Sequence, residues 1–276
     1  ACDMKADKRS NILYAAILWL LSILVIYPLL MVLMTSFKEK REASGLSIAL
    51  PREWLWSNYT EVLESGDVFR NLFNSVFVSV ITVIIVLATA SMLSYAIVRR
   101  DTKFCRVIDK LLTFGIIAPF AAMPTMELLG ALGIYGSLWG LIFVYSALYL
   151  PFSAMMITSY IKGLPKELDE AAVIDGASGM NLFLKITVPL LKPIAATVAV
   201  LVFMWSWNEL QIPLYLLSSS KQYTLPLSVY NFYSAFSTSW NLVCADVIVV
   251  SIPVILMYIF AQKYVISGMT AGAVKM

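Results

Sequence analysis

Histidine is missing from all 276 residues. With it goes the side chain that most often serves as general base, proton relay or metal ligand near neutral pH. Charge is scarce as well, at 13% Asp, Glu, Lys and Arg, against about a quarter in a soluble domain. The three cysteines, Cys2, Cys105 and Cys244, have no metal-ligand spacing and form no disulfide framework. No Gly-x-x-x-x-Gly-Lys-Ser/Thr cradle for nucleotide phosphates occurs. Gly-Ala-Ser-Gly at 176–179 lacks the lysine and reads as a turn ending a helix. These absences exclude the common catalytic constellations, so no cofactor and no metal are expected and the chain reads as a non-catalytic subunit.

What fills the space is apolar. The chain is 60% hydrophobic, and residues 10–37 and 71–98 carry no charge at all. Residues 111–161 carry only Glu127, and residues 193–220 only Glu209, while a last apolar run follows Asp246 and stops at Lys263. A bilayer needs about 20 apolar residues per helix. The 111–161 stretch is too long for one span, and Gly130, Gly133 and Gly136 near its middle predict a turn. The expectation is an all-α polytopic membrane protein with six transmembrane helices, near 13–35, 74–98, 111–132, 138–161, 194–217 and 245–265. Helices are favoured because lipid offers backbone groups no solvent, and the alternating segments of a membrane barrel are absent. The N-terminal run is too long for a cleavable signal, and Met4 is the expected natural start.

Lysine and arginine set the orientation. Lys5, Lys8 and Arg9 precede the first span, and Arg99, Arg100, Lys103, Arg106 and Lys110 fill the loop after the second. Lys162, Lys166, Lys185 and Lys192 flank the loop after the fourth, and Lys263 and Lys275 follow the sixth. Together these are 14 of the 20 basic residues. Placing them inside puts both termini in the cytoplasm. The loop 38–70 holds five basic residues but six acidic ones. The expected layout is a cytoplasmic N-terminus at 1–12, one membrane domain at 13–267 and a cytoplasmic tail at 268–276.

The loop between the fourth and fifth spans is semi-polar. Leu164-Pro165-Lys166-Glu167 starts a short helix, with Glu167, Asp169 and Glu170 near its positive end. Leu168, Ala171, Ala172 and Asp175 share one face, and the two alanines allow close approach of another surface. Gly176 is placed to end the helix with a left-handed residue. A second segment over 181–188 is expected to stop at Pro189. The residues alone leave two readings: an amphipathic helix lying on the membrane, or a docking surface for a soluble partner.

Inside the spans, Glu127 and Glu209 are costly, about 2.5–3.5 kcal/mol each at the bilayer centre, so they face protein or water. Trp205, Trp207, Asn208 and Gln211 surround Glu209. Aromatic faces and amides suit a sugar, but tryptophan also collects at the membrane interface, and Asn208 and Glu209 could equally bond to a partner chain. Glu127 reads as wetted and without special role. The outer loop 218–244 is nearly uncharged and rich in tyrosine, serine and asparagine.

The spacing Glu170-Ala171-Ala172, three residues, Gly176, nine residues, Ile186, one residue, Val188-Pro189 resembles the EAA loop of ABC importer permeases, with valine in the place of leucine. The likeness extends to the MalG-type permeases of carbohydrate importers over nearly the whole chain. It is carried by Ser36-Phe37-Lys38, Asn58-Tyr59, Asn74-Ser75, Trp207-Asn208-Glu209, Thr224-Leu225-Pro226 and the closing stretch from Gly268 to Lys275. The resemblance implies a bacterial-type inner-membrane subunit that works with a second homologous permease, two ATP-binding subunits and an external solute-binding protein, and that moves a sugar. It implies that Glu170, Ala171, Ala172, Asp175 and Gly176 form a coupling helix docking in the ATPase. It further implies that Gly272, Ala273, Val274 and Lys275 reach the ATPase, and that Ser234, Phe236, Ser237 and Trp240 reach the binding protein. Trp205, Asn208, Glu209 and Gln211 are the candidate substrate pathway. A permease for an amino acid, peptide or phosphorylated compound is the nearer alternative. A self-sufficient secondary transporter is the farther one, and it would ordinarily carry coupled charges in mid-membrane.

Overall fold

A computed structural model describes residues 8–65, 67–100, 102–165, 167–174, 176, 179–233 and 238–273. Among these residues every regular element is a helix. In chain order they are α1 (Lys8–Ser36), α2 (Lys40–Ala43), α3 (Ser57–Ser65), α4 (Val68–Arg99), α5 (Lys103–Ile117), α6 (Ala122–Ala131) and α7 (Leu138–Lys162). They continue as α8 (Glu167–Ile174), α9 (Met180–Leu182), α10 (Val188–Leu190), α11 (Lys192–Asn208), α12 (Gln211–Leu216) and α13 (Trp240–Ala273). A π-helical turn at Phe183–Thr187 joins α9 to α10, and 3-10 turns occupy Ser220–Gln222 and Pro226–Asn231. Residues 1–68 with 228–254 form one compact unit, and 69–227 with 255–276 form another.

Among the described residues, α1, α4, α7 and α13 contain stretches long and apolar enough to cross a membrane. The segment from α9 to α10 and helix α11 make a fifth if this pair, bent by 74°, counts as one span. The all-helical class matches expectation, but the runs at 111–132 and 194–217 are not single helices. Helix α5 starts earlier, on a Thr102 hydroxyl that accepts from Cys105 N at 3.2 Å, and stops at Ala118, whose ψ of 123° is extended. Proline at the next position disfavours helical backbone in the residue before it. The second break falls at Glu209, with φ −71° and ψ 124°. Pro213 lies in the first turn of α12. In an unbroken helix its ring would press on the Glu209 carbonyl, four residues back. Nor does Pro189 stop the chain as expected. It sits inside α10, behind a wide π turn in which Val188 N–H reaches Phe183 O. The sharp bend falls two residues later, at Leu191, ahead of Pro193. The turn predicted between 130 and 136 is present, with Gly133 at φ +71° and Gly136 at φ +73°.

In the unit 69–227, α4 turns its polar side inward. Asn71, Ser75, Ser79, Thr82 and Ser94 are buried along one helical face with Val86 and Ala90, while Phe69, Phe73, Val80 and Ile84 are exposed. The distribution follows from the solvent. Lipid tails are as apolar as leucine, so burying valine gains little, whereas a polar side chain needs protein around it. Two apolar cores hold the helices together. Val78, Leu129, Tyr145 and Leu216 join α4, α6, α7 and α12. Val86, Ala90, Ile157, Ile161 and Val198 join α4, α7 and α11. Ser94 Oγ donates to Ala154 O at 2.9 Å, a kind of interhelical bond contributing about 0.6 kcal/mol on average in membranes.

In the other unit, α1 exposes its side chains at 17–30, while Thr35 and Ser36 at its end are buried, as are Phe37 and Lys38 just beyond it. Phe37 anchors an aromatic cluster, with ring centroids 5.1 Å from Trp54, 4.8 Å from Trp56 and 5.2 Å from Tyr59. Buried Lys38 donates from Nζ to Ser47 O at 2.8 Å and to Ser47 Oγ at 3.0 Å. Burial pushes the Tyr59 phenol above its ordinary value, against the opposing effect of its bond to Ser36.

Candidate functional site

Helix α7 ends at Lys162, and α8 begins five positions later, at Glu167. Glu170, Ala171 and Ala172 lie in the middle of α8, where the backbone is described; Asp175 lies outside the described residues. Gly176 has φ +84°, with nothing within 4 Å of where a Cβ would stand. Glycine is therefore required there by backbone conformation and not by crowding. Leu168 is exposed and Ile174 is 86% exposed, which leaves large apolar side chains bare on a segment bounded by charged residues.

Contacts from α4 help hold this loop within its unit. Arg99, the last residue of α4, forms an ion pair with Asp169 of α8, and both side chains are largely shielded, at 14% and 18% exposure. One turn earlier on α4, Tyr95 packs its ring 5.2 Å from Phe183 in the π turn. Beside these contacts lies an open cleft of about 600 Å³, lined by Tyr95, Arg99, Arg100, Asp169, Met180 and Phe183 among others. The sequence marks Arg99 only as a charge that sets orientation, and does not single out Tyr95. The spacing of four between them was the available signal, but their partners lie far along the chain.

The residues around Glu209 are less of a cluster than their adjacency in sequence implies. Trp205 leaves α11 toward α7, packing 5.6 Å from the Tyr149 ring and 5.1 Å from Phe152. Trp207 is buried and stacks on Phe203 at 5.5 Å. Asn208 Nδ2 donates to Met204 O at 2.8 Å, back along its own helix. Glu209 Oε1 accepts from the backbone N–H of Gln211 at 2.9 Å and of Ile212 at 3.2 Å. It thus satisfies two N–H groups that the first turn of α12 leaves without helical partners. Gln211 Nε2 reaches Tyr215 OH at 3.5 Å. The break in the fifth run and its acid explain each other: the carboxylate caps the helix that the break creates.

Several of the short motifs are structural clamps. Asn58 Nδ2 donates to Ser36 O at 2.8 Å and Lys38 O at 3.0 Å, and Asn58 Oδ1 accepts from Asn241 Nδ2 at 3.0 Å. Tyr59 and Ser36 join hydroxyls at 2.7 Å. In the other unit, Asn74 Nδ2 donates to Lys221 O at 3.1 Å and Tyr223 O at 3.0 Å, while Leu225 N–H donates to Ser75 Oγ at 2.7 Å. Thr224-Leu225-Pro226 is thereby pinned to the start of α4.

In the outer loop, Ser234, Phe236 and Ser237 lie outside the described residues. Trp240 opens α13 and packs 6.3 Å from Tyr233, which in turn meets Tyr230 at 6.1 Å. Gly272 and Ala273 close α13, and Val274 and Lys275 lie outside the described residues. Glu127 is exposed on α6. A third acid was missed: Asp246 is fully buried inside α13 and accepts from Ser228 Oγ at 2.8 Å. Its position at the edge of an apolar run had disguised it.

Comparison with known proteins covers the whole of this arrangement. The family described as binding-protein-dependent transport system inner membrane component matches residues 6–270. A probable starch degradation products transport system permease protein of Thermoanaerobacterium thermosulfurigenes is 32% identical over 257 residues, 92% of this chain and 93% of the relative. A multiple sugar-binding transport system permease protein of Streptococcus mutans is 32% identical over 279 residues, 99% of this chain and 100% of the relative. Among solved structures, a bacterial ABC transporter that imports the acidic polysaccharide alginate contains a chain of the same fold. The TM-score is 0.78 at 24% identity, covering 94% of this chain and 98% of that one.

Proposed function

The chain belongs to the binding-protein-dependent transport system inner membrane components, and from that premise we propose that it is a permease subunit of an ABC importer for a sugar or oligosaccharide. The observation that carries the reading is α8: a short helix followed by a left-handed glycine, with apolar side chains bare, set between α7, which is long and apolar enough to cross a membrane, and the bent pair that ends in α11. Exposed Leu168 and Ile174 support an interaction site on this helix. Glu170, Ala171, Ala172, Asp175 and Gly176 are its ATPase-docking residues, and Gly272 to Lys275 a second ATPase contact.

In this reading the chain crosses the inner membrane six times, through α1, α4, α5 with α6, α7, α11 with α12, and α13. Both termini are cytoplasmic, and residues 13–267 make the membrane domain between the short ends 1–12 and 268–276. A second permease completes the pathway, two ATP-binding subunits drive it, and an external binding protein delivers the cargo. The outer segment with Ser234, Phe236, Ser237 and Trp240 meets that protein, and Trp205, Asn208, Glu209 and Gln211 border the path. Sugar is the favoured cargo because relatives spanning nearly all of the chain are a probable permease of a starch degradation products transport system and a permease of a multiple sugar-binding transport system.

Reconstitution tests the reading. The chain alone in proteoliposomes is expected to show neither ATP hydrolysis nor uptake. Uptake of labelled maltodextrins or raffinose-type sugars appears only with the ATPase, the second permease and the binding protein. Concentrative uptake by the single chain on an ion gradient would refute the importer, and preference for amino acids or peptides would refute the cargo.

A further inference from the structure

We infer that Arg99 and Tyr95 form a strut that couples the docking helix to α4, so that displacement of α8 moves the membrane core directly and not only through the chain ends that flank the loop. The inference rests on the proposed docking role of α8. Covalently, the loop is continuous with α7 on one side and α11 on the other. Helix α4 has no covalent link to it but meets it through space at Tyr95 and Arg99, four residues apart and therefore on one helical face. Arg99 holds Asp169 in α8, and Tyr95 holds Phe183 in the π turn, so both halves of the loop are gripped.

The contacts are placed to carry load. Arg99 and Asp169 are mostly shielded from solvent, away from the fully exposed setting where ion pairs contribute least. Phe183 is buried. Farther along α4, Val86 and Ala90 pack with Ile157 of α7 and Val198 of α11, and Ser94 donates to the Ala154 carbonyl. Movement delivered to the end of α4 therefore reaches the interhelical core. Arg99 is a positioning residue: it touches neither nucleotide nor cargo.

The experiment uses the complete complex in proteoliposomes, with cargo uptake and ATP hydrolysis read on the same preparation and ATPase association read by co-purification. The variants are Arg99→Asp, Asp169→Arg, the double exchange, and Glu170→Lys. Each single exchange is expected to lower uptake per ATP hydrolysed roughly three- to tenfold, the size of coupling changes between linked sites, while association changes less than about twofold. The double exchange restores the pair with its polarity reversed and recovers about half or more of the coupling. Wild-type coupling in the single variants, or additive loss in the double, would overturn the strut. So would an association loss in Arg99→Asp equal to that of Glu170→Lys, because the pair would then only keep α8 folded. Glu170→Lys separates the two ideas. If it leaves association and uptake intact, the docking role falls and the strut with it; if it weakens association while the Arg99 and Asp169 variants stay coupled, the strut alone falls.

Discussion

Asn58 offers the sharpest test of how the first unit is held. Its side chain is 4% exposed. It donates to the Ser36 and Lys38 carbonyls and accepts from Asn241. Asn58→Ala deletes all three bonds and leaves two carbonyls and an amide without that partner in a buried site. At about 1 kcal/mol for each net bond, the expected loss is about 3 kcal/mol. For a chain of this size that lowers the melting temperature by about 6–12 °C, at about 2–4 °C per kcal/mol. Asn241→Ala deletes one of the three bonds and should cost about 1 kcal/mol. The two substitutions share a bond, so together they should fall short of their sum by about 1 kcal/mol. Asn58→Asp keeps the acceptor but sets a carboxylate against two carbonyls, and should be worse than alanine. Thermal unfolding of the purified complex, followed by intrinsic fluorescence in one detergent, measures all four. A melting temperature for Asn58→Ala no lower than that of Asn241→Ala would refute the three-bond accounting.

Three further outcomes are expected. Gly176→Val meets open space but must hold a β-branched residue at φ +84°, costing about 1–2 kcal/mol in the turn. Uptake by the assembled complex should fall sharply with the membrane portion still folded, and wild-type uptake would count against the docking role. Glu209→Ala uncaps α12 and should destabilise by about 1 kcal/mol, whereas Glu209→Gln keeps an acceptor and should lose only a few tenths of that, the charge–dipole part. Equal loss of uptake in both, at unequal stability, would show that the carboxylate charge serves the cargo instead. Deleting 234–240 should spare assembly and ATP hydrolysis and lower uptake per ATP, and unchanged coupling would leave that segment a surface loop.

Much of the fold was legible because membrane insertion is read residue by residue. Uncharged runs at 10–37 and 71–98 announce α1 and α4 wherever their partners lie, since the cost of transfer into lipid is set by composition. The left-handed turns were legible too, because Gly133, Gly136 and Gly176 are the residues such backbone prefers. Breaks inside apolar runs were not. Pro119 and Pro213 are present in the sequence, but hydropathy is blind to ψ, and both breaks vanished into stretches of uniform composition.

The candidate site divides the same way. The pattern from Glu170 to Pro189 marked the loop from sequence alone, and the family match over residues 6–270 agrees with the class it implied. What that loop is tied to, and what the buried polar residues are for, only the tertiary structure decided. Sequence left Glu209 open between cargo, membrane interface and partner chain, and only the break shows that its carboxylate caps α12. Asp246 looked peripheral until Ser228 reached it, and Arg99 was one of 14 charges that set orientation until Asp169 claimed it. Apolar character is a property of a single residue and sums along the chain. A hydrogen bond or ion pair belongs to two residues at once, and exists only after folding has brought distant segments to within about 3 Å of each other.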